Sequence, residues 1–263
     1  MNSEKTSPLF AEERRQQILL LLEQNDKLLV PELCEIFQVS PATIRNDLNI
    51  LADNHQIQRT HGGAIPIKKT AFEPTNQDKS ITHPEKKSRI ASCAFDMIED
   101  GDTLAIDAGT TTLELARLLN RKQNLTVVIN DLAIASVLEE YKNVNVVVLG
   151  GMLRHGFQCT VGPLTLSSLS SINVDKAFIA TNAFSFEKGF TTPDFNQSEV
   201  KKAMMNSASK TIMLCDSSKI GKVNFIEFAT LSSFDDFITD TNITPDNKKK
   251  LEELSQTTAL HFA

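Results

Sequence analysis

Tryptophan is absent from this 263-residue chain and tyrosine occurs once, which removes most of the flat aromatic surface on which a sugar ring stacks. Only four cysteines occur, at positions 34, 93, 159 and 215, and no two form a Cys-x-x-Cys pair. Zinc and dithiol chemistry therefore lack a ligand set, and the cysteines are expected as reduced, mostly buried thiols. No metal site and no cofactor are expected. No apolar run approaches the roughly 20 residues that span a bilayer, so no membrane partner is expected. The opening Met-Asn-Ser-Glu-Lys-Thr-Ser-Pro has no apolar core of a signal peptide, and the sequence reads as cytoplasmic. Both nucleotide fingerprints are missing: no Gly-x-Gly-x-x-Gly follows a strand, and there is no Gly-Lys-Ser/Thr loop. A positive excess is lacking too, since the net charge is −6, which argues against nonspecific nucleic-acid binding.

What is there is an ordinary globular mix, 41% hydrophobic and 23% charged, on a chain long enough for about two domains. The text divides into residues 1–66, a Pro-rich polar stretch at 67–84 that predicts an extended linker or one partly helical in its middle, and residues 85–263.

The first part predicts three helices and a hairpin. Ile18, Leu21 and Leu22 give one apolar face to a helix over 12–24, which Asn25-Asp26 breaks. Leu33, Ile36 and Phe37 repeat the spacing in a helix starting near Pro31. After a tight Gln38-Val39 turn, Ser40 is a natural N-cap, with Pro41 at the first helical position. Ile44, Leu48 and Leu51 bury the inner face of this third helix, which runs to about Asn54. Ala42, Thr43, Arg45, Asn46 and Asn49 are left facing outward. Arg and Asn match guanine and adenine edges in the major groove, and the start of the second motif helix is the part that meets bases. Ile57 to Thr60 alternates like a strand, and His61-Gly62-Gly63 lets the chain turn back, which predicts a wing with Arg59 and His61 placed against DNA. Residues 38–69 carry four Lys/Arg and two acids, so the basic balance is concentrated here, and several phosphate contacts are assigned to backbone N–H groups and hydroxyls. The rival reading is a plain three-helix bundle with a solvated third helix. The Ser-Pro cap, the outward Arg/Asn set and the Gly-Gly hairpin speak against it.

From Gly101 onward, strand candidates at 103–106, 125–129, 144–149, 176–180, 211–214 and 237–239 alternate with helical patterns at 112–119, 132–140, 197–209 and 246–254. This alternation predicts a largely parallel sheet covered on both faces, with ligands bound beyond the carboxyl ends of the strands. Polar residues collect at those ends: Asp107, Gly109, Thr110, Thr111 and Thr112 after the first strand, Asn130-Asp131 after the second, Gly150-Gly151 after the third, and Asp216 to Lys219 after the fifth. A Gly-Thr-Thr-Thr turn entering a helix offers N–H groups and hydroxyls to an anion, and Lys219 can balance its charge. Each element alone is weak, since such glycines and lysines mostly punctuate turns. Their shared sheet edge carries the reading.

Together these stretches resemble the DeoR family of transcription regulators. The likeness rests on Val39-Ser40-Pro41-Ala42-Thr43-Ile44-Arg45-Asn46-Asp47-Leu48 and Arg59-Thr60-His61-Gly62-Gly63-Ala64. In the second part it rests on Asp107 to Thr112, Leu149-Gly150-Gly151, Glu199 to Met204, Asp216-Ser217-Ser218-Lys219 and Ile238-Thr239-Asp240. The resemblance implies a winged helix-turn-helix followed by an α/β effector domain similar to sugar-phosphate isomerases. It also implies repression of a carbohydrate-catabolism operon, release from an operator of double-stranded DNA by a phosphorylated sugar, and a homo-oligomer. Carried over, Asp107, Gly109 to Thr112, Asn130, Gly150, Gly151 and Lys219 become the effector candidates, and Ser40, Ala42, Thr43, Arg45, Asn46, Asn49, Arg59 and His61 the DNA candidates. There are departures. Asn46 replaces a second Arg, which bears on the operator sequence. Asp131 adds a carboxylate that shifts sugar preference or disfavours a second phosphate. Phe184 and Phe186 are bulkier than expected and predict a narrowed pocket. The alternative is a sugar-phosphate isomerase with a helical appendage, for which Asp107, Asp131 and Glu199 are the candidate carboxylate bases.

Overall fold

The structure is a computed structural model describing residues 9–25, 27–54, 56–67 and 69–263. Asp26 of the first predicted break, Lys68 of the basic balance and the Met1–Pro8 start lie outside the described residues. The chain divides into two units with the boundary between Pro74 and Thr75.

In the first unit, α1 (Ala11–Gln24) is followed by β1 (Leu28–Leu29), α2 (Val30–Phe37), α3 (Pro41–Asp53), β2 (Ile57–Thr60) and β3 (Gly63–Pro66). The predicted apolar faces meet except at Ile36, which is exposed: Ile18 and Leu22 of α1, Leu33 of α2, and Ile44, Leu48 and Leu51 of α3 form one core. The tight turn after α2 is closed by Gln38 at φ 53°. Ser40 caps α3 by accepting from the Thr43 N–H at 3.1 Å. In the hairpin Thr60 pairs with Gly63, which leaves His61-Gly62 as a two-residue turn. β1, too short to show alternation in the sequence, pairs with β3. A Cβ at Gly63 would lie 1.9 Å from the Leu28 carbonyl oxygen, so this strand approach admits only glycine.

One contact ties the helices together that apolar spacing could not show. The Arg14 Nε donates to Asp47 Oδ2 at 2.6 Å, and Arg15 lies 3.5 Å from the other oxygen. Arg14 and Asp47 are both buried.

In the second unit, Thr75–His83, which in the sequence reads as the later half of the linker, is folded. Here α4 (Asn76–Ser80) is capped by Thr75, and Asn76 Nδ2 donates to the Phe157 carbonyl at 2.6 Å. Then come α5 (Pro84–Phe95), β4 (Thr103–Ile106), α6 (Thr110–Ala116), β5 (Leu125–Ile129), α7 (Leu132–Leu138) and β6 (Val144–Val148). A hairpin of β7 (Met152–Arg154) and β8 (Cys159–Val161) leads through α8 (Pro163–Leu169) to β9 (Val174–Ala180). Next are β10 (Ala183–Ser185), β11 (Gly189–Thr192), α9 (Phe195–Asn206), β12 (Ala208–Leu214) and β13 (Ile226–Ala229). The chain closes with β14 (Asp236–Thr239), α10 (Pro245–Leu254) and β15 (Ala259–Phe262).

Seven strands form one parallel sheet in the order β15-β14-β12-β9-β4-β5-β6. Alternate residues serve opposite faces, as expected of a sheet covered on both sides. Leu104 and Ile106 of β4 pack with α5, α6 and α7, while Ala105 joins the core made with α8, α9 and α10. The chain runs outward from β4 to β6, then returns to β9 on the other flank of β4 and continues away to β15. That reversal, between β4 and β9, opens a crevice at the carboxyl ends, where ligands of such sheets bind.

The predicted narrowing by Phe184 does not occur. Phe184 is fully buried in an aromatic cluster, with the rings of Phe186, Phe190 and Phe237 at 5.4, 4.6 and 6.0 Å. It belongs to β10 of the small antiparallel sheet β10-β11-β13, where it pairs with Phe190 and serves as core.

Replacing Arg14 by Met leaves the buried Asp47 carboxylate with only the long Arg15 contact. The expected outcome is a loss of about 3–5 kcal/mol from the first unit, seen by circular dichroism as an earlier urea transition. An unmoved transition would show that Arg15 alone compensates Asp47.

Candidate functional sites

On α3, Ser40, Ala42, Arg45, Asn46 and Asn49 are exposed and Thr43 is half-buried, opposite the buried Ile44, Leu48 and Leu51. Arg45, Asn46 and Asn49 make no hydrogen bond or ion pair among the described residues, so their paired donor and acceptor groups face solvent unspent. His61 is exposed at the wing turn. Arg59 differs: its Nη1 donates to the Gly63 carbonyl at 2.9 Å and braces the hairpin.

In the second unit the switch point is occupied by charge. Asp107 follows β4 and is fully buried. Its Oδ2 accepts from the Ala180 N–H at 3.0 Å and from Lys201 Nζ, and Lys201 also donates to the Ala180 carbonyl at 2.9 Å. One ion pair thereby fastens β4, β9 and α9 together at the crevice. Sequence reasoning did not name Lys201 as a site residue. A signal existed, because Gln197 and Lys201 share helical spacing with the buried Val200 and Met204 of α9, and polar residues seldom belong on such a face.

Beside Asp107, Asn130 is fully buried and donates from Nδ2 to the Thr160 carbonyl at 2.8 Å. Asp131 caps α7, accepting from the Ala133 and Ile134 N–H groups at 2.8 and 3.0 Å. Burial pushes Asp131 up to about 6, and the nearby Asp107 adds to the rise against these backbone donors. Asp131 is bridged to Cys159, whose sulfur accepts from Gln197 Nε2 at 3.0 Å. Burial pushes that thiol up to about 12, so it is an inert neighbour. Cys215 is also buried, and Cys34 and Cys93 are half-buried. Asp107 Oδ1, Asn130 Oδ1 and Gln197 Oε1 are buried with no hydrogen-bond partner among the described residues. All three are acceptors.

The Gly109 turn is tightly built. Thr112 Oγ1 donates to the Gly109 carbonyl at 2.9 Å; Thr111 and Thr112 are buried, and Thr110 is half-buried. Gly150 and Gly151 stand apart from the ion pair, at the end of the outer strand β6. The Gly150 carbonyl accepts from Thr165 at 2.7 Å, and a Cβ at Gly151 would lie 2.3 Å from Thr165 Oγ1. Gly151 thus fits the hairpin closely against α8, whereas a Cβ at Gly150 would meet nothing within 4 Å.

Lys219 ends a short 3-10 turn after β12 and has no hydrogen-bond or ion-pair partner among the described residues. Burial pushes the adjacent Asp216 up, but Lys219, a Ser218 hydrogen bond and Lys87 outweigh it and hold the carboxyl below the usual carboxylate range. Lys86 Nζ donates to Ser217 Oγ at 3.0 Å, and Asp240 accepts from the Ser217 N–H at 2.6 Å. β12 is two strands from β4, so at about 4.8 Å per strand the two strand ends stand about 10 Å apart along the sheet edge. The crevice is polarised. Lys86, Lys87 and Lys219 gather with Asp216 and Asp240 at one end; at the other, Lys201 is paired with Asp107, and Asp131 lies nearby. Among the described residues no helix is long and apolar enough to cross a membrane, and no group of three or more His, Cys, Asp or Glu is placed to hold a metal ion.

A winged helix-turn-helix reader joined to an α/β unit with a polar switch-point crevice defines a regulator with a sensor. Comparison with known proteins agrees in both halves. Residues 14–70 match the DeoR-like helix-turn-helix domain, and residues 82–241 match the DeoR C terminal sensor domain. The chain is 36% identical to the HTH-type transcriptional regulator GlpR of Haloferax volcanii, covering 93% of this chain and 96% of that one. It is 32% identical to the HTH-type transcriptional regulator GolR of Listeria innocua, with 93% and 96% covered. It is 30% identical to the putative aga operon transcriptional repressor of Escherichia coli O157:H7, with 92% and 90% covered. The chain belongs to the DeoR family of DNA-binding transcription regulators. Among solved structures it matches ribose 5-phosphate isomerase A of Methanocaldococcus jannaschii at 15% identity and a TM-score of 0.40, over 53% of this chain and 55% of that one. That likeness is too loose to carry any chemistry.

Asp131 binds its proton more tightly folded than unfolded. Its charge therefore costs nothing below the ordinary carboxylate value near 3.8 and costs fully above about 6. Asp131→Asn keeps a side chain that caps helices equally well and removes that cost, on the order of 3 kcal/mol. The variant should melt higher than the parent at pH 8, with the gap closing by pH 4. Thermal melts at both pH values check this, and a gap independent of pH would contradict it.

Proposed function

We propose that the protein represses a carbohydrate-catabolism operon and leaves its operator when a phosphorylated sugar enters the second unit. What carries this reading is the coexistence of unspent recognition groups in both halves: Arg45, Asn46 and Asn49 on the reading helix, and Lys219 with three orphan acceptors in the crevice. Ser40, Ala42, Thr43 and His61 contact the duplex around these bases, and Arg59 shapes the wing. Asp107, Gly109, Thr110, Thr111, Thr112, Asn130 and Lys219 face the effector, and Gly150 and Gly151 set the wall behind it. The name of the aga operon relative fits control of a carbohydrate operon. Against the isomerase alternative stands the pairing of Asp107 with Lys201, and the DNA-reading unit ahead of the sheet favours a regulator.

Release requires the effector to favour the DNA-incompetent arrangement. A difference of about 1–3 kcal/mol lowers operator affinity roughly 5- to 150-fold. The DNA-binding form is a homo-oligomer in the cytoplasm, reading paired half-sites. The exposed Val147 and Val148 of the edge strand β6, with Met152, Leu153 and Leu164, supply apolar surface for self-association.

A gel shift on the DNA upstream of the protein's own gene, with and without a panel of phosphorylated sugars, tests the reading. Indifference of the protein to that DNA at low ionic strength would sink it. Arg45→Ala should lose about 1–3 kcal/mol of operator discrimination with the fold intact, read by footprinting. Lys219→Ala should erase the thermal shift produced by the phosphorylated sugar, read against the variant's own ligand-free melt, which falls because the buried Asp216 loses the ammonium that holds it ionised.

A further inference from the structure

The short helix α4 stands where the chain coming from the DNA-reading unit enters the second unit, and it is held without a core of its own. None of its residues is buried. A helix this short has no independent stability, since nucleation costs more than one turn returns. Thr75 caps it, its hydroxyl accepting from the Asp78 N–H at 3.3 Å. Much of its hold comes from the loop between β7 and β8. The Asn76 N–H donates to the Gly156 carbonyl at 3.1 Å, and Asn76 Nδ2 donates to the Phe157 carbonyl at 2.6 Å. Lys79 Nζ sits 5.3 Å from the centre of the Phe157 ring. At its other end Lys87 Nζ, from α5, donates to the Lys79 carbonyl. α4 also packs against α6, the helix that starts after the Gly109 turn.

The same loop belongs to the crevice on its other side. The Gln158 carbonyl accepts from the Leu132 N–H at 2.7 Å, and Cys159 is bridged to Asp131. The Thr160 N–H donates to the Asn130 carbonyl, and Asn130 Nδ2 to the Thr160 carbonyl, both at 2.8 Å. Within residues 156–160, therefore, the first two hold α4 and the others hold the crevice wall. The turn uses two left-handed residues, Gly156 at φ 82° and Gln158 at φ 52°, and a non-glycine residue stays there only while its surroundings fix it. Asn130 Oδ1 is buried with no hydrogen-bond partner among the described residues. A ligand hydroxyl that fills it acts on the very side chain whose other end holds Thr160.

We propose that α4 is a strap, latched on the β7–β8 loop while the crevice is empty and let go when a ligand engages Asn130. This rests on the reading of the protein as a repressor released by a ligand in that crevice. Latched, the connection from β3 to the second unit is residues 67–74; released, it runs on to His83, about double the length. In an oligomer reading paired half-sites, doubling a tether lowers the effective concentration of the second reader roughly threefold, following the −3/2 power of length. An element with few buried contacts opens at small cost, which suits it to this work.

A disulfide can fix the strap in place. A Cβ on Gly156 would lie 4.0 Å from the Thr75 Cβ, within the roughly 3.5–4.5 Å that a disulfide spans. The full chain carrying Thr75→Cys and Gly156→Cys, once oxidised, should bind the DNA upstream of the protein's own gene as the parent does. Glucose 6-phosphate, fructose 6-phosphate and dihydroxyacetone phosphate should all fail to release it, and reduction should return sensitivity to whichever of them releases the parent. The parent given the same oxidant controls for its own four cysteines. Failure of the new pair to join, loss of DNA binding on joining, or release of the joined form by that sugar overturns the proposal. Asn76→Ala tests the opposite state without any ligand. Deuterium uptake over residues 75–83 should rise, the global melt should stay with the parent's, and DNA affinity should fall at least threefold. Unchanged uptake, or faster uptake with unchanged DNA affinity, equally overturns the proposal. If no sugar releases the parent, the reading of the effector has failed and Asn76→Ala still decides the strap. If the parent ignores the DNA altogether, the repressor reading itself has failed, and the strap's control of DNA binding falls with it.

Discussion

The buried pair between Asp107 and Lys201 is the constraint on which the second unit is organised. A carboxylate and an ammonium taken out of water are tolerated only when each finds the other and their remaining hydrogen bonds are met. Lys201 meets both conditions by reaching the Ala180 carbonyl as well. Asp107 meets them incompletely, since one oxygen has no partner among the described residues. The pair fixes where β4, β9 and α9 converge, and it leaves an acceptor unfilled at the point where the sheet's topology opens. Architecture and binding potential thus come from the same two side chains.

The DNA-reading unit uses the same device for a different end. Asp47 stands among outward-facing polar residues on α3, yet it turns inward to Arg14 and Arg15. This fixes the roll of α3 about its axis, and therefore which side chains face outward. Arg45, Asn46 and Asn49 are outward because Asp47, Ile44 and Leu48 are held in. A modest net charge is enough for such a unit, since sequence discrimination comes from aimed side chains and phosphate contacts mainly position them.

Much of this was legible in the sequence, and the residues show why. Thr103–Ile106 and Leu125–Ile129 are apolar runs bounded by polar punctuation, the signature of strands buried on both faces. Ser40-Pro41 announced its cap, and Asp131 stood one residue before a helical pattern. The strands of two to four residues, such as β1, β7 and β10, left no period to detect. Lys201 escaped because its meaning lies in a partner 94 positions away. Phe184 was misread for the reverse reason: its bulk was visible, but the aromatic cluster that receives it was not. The order of Thr75–His83 came from the Asn76 side chain meeting the Phe157 carbonyl, a contact no local pattern encodes.

The central pairing of β4 with β9 has a consequence for biosynthesis. Leu104 lies opposite Lys176, so the chain between them must be made before the two halves of the sheet can join. Closing a loop of that length carries an entropic cost that local turns do not. A nascent chain that has emerged only as far as the β7–β8 hairpin owns Asp107, Asn130 and Asp131 but lacks the ammonium that neutralises them. Ligand recognition is thus a property of finished molecules, and a ribosome-bound fragment can display the reading helix long before it can respond to a metabolite.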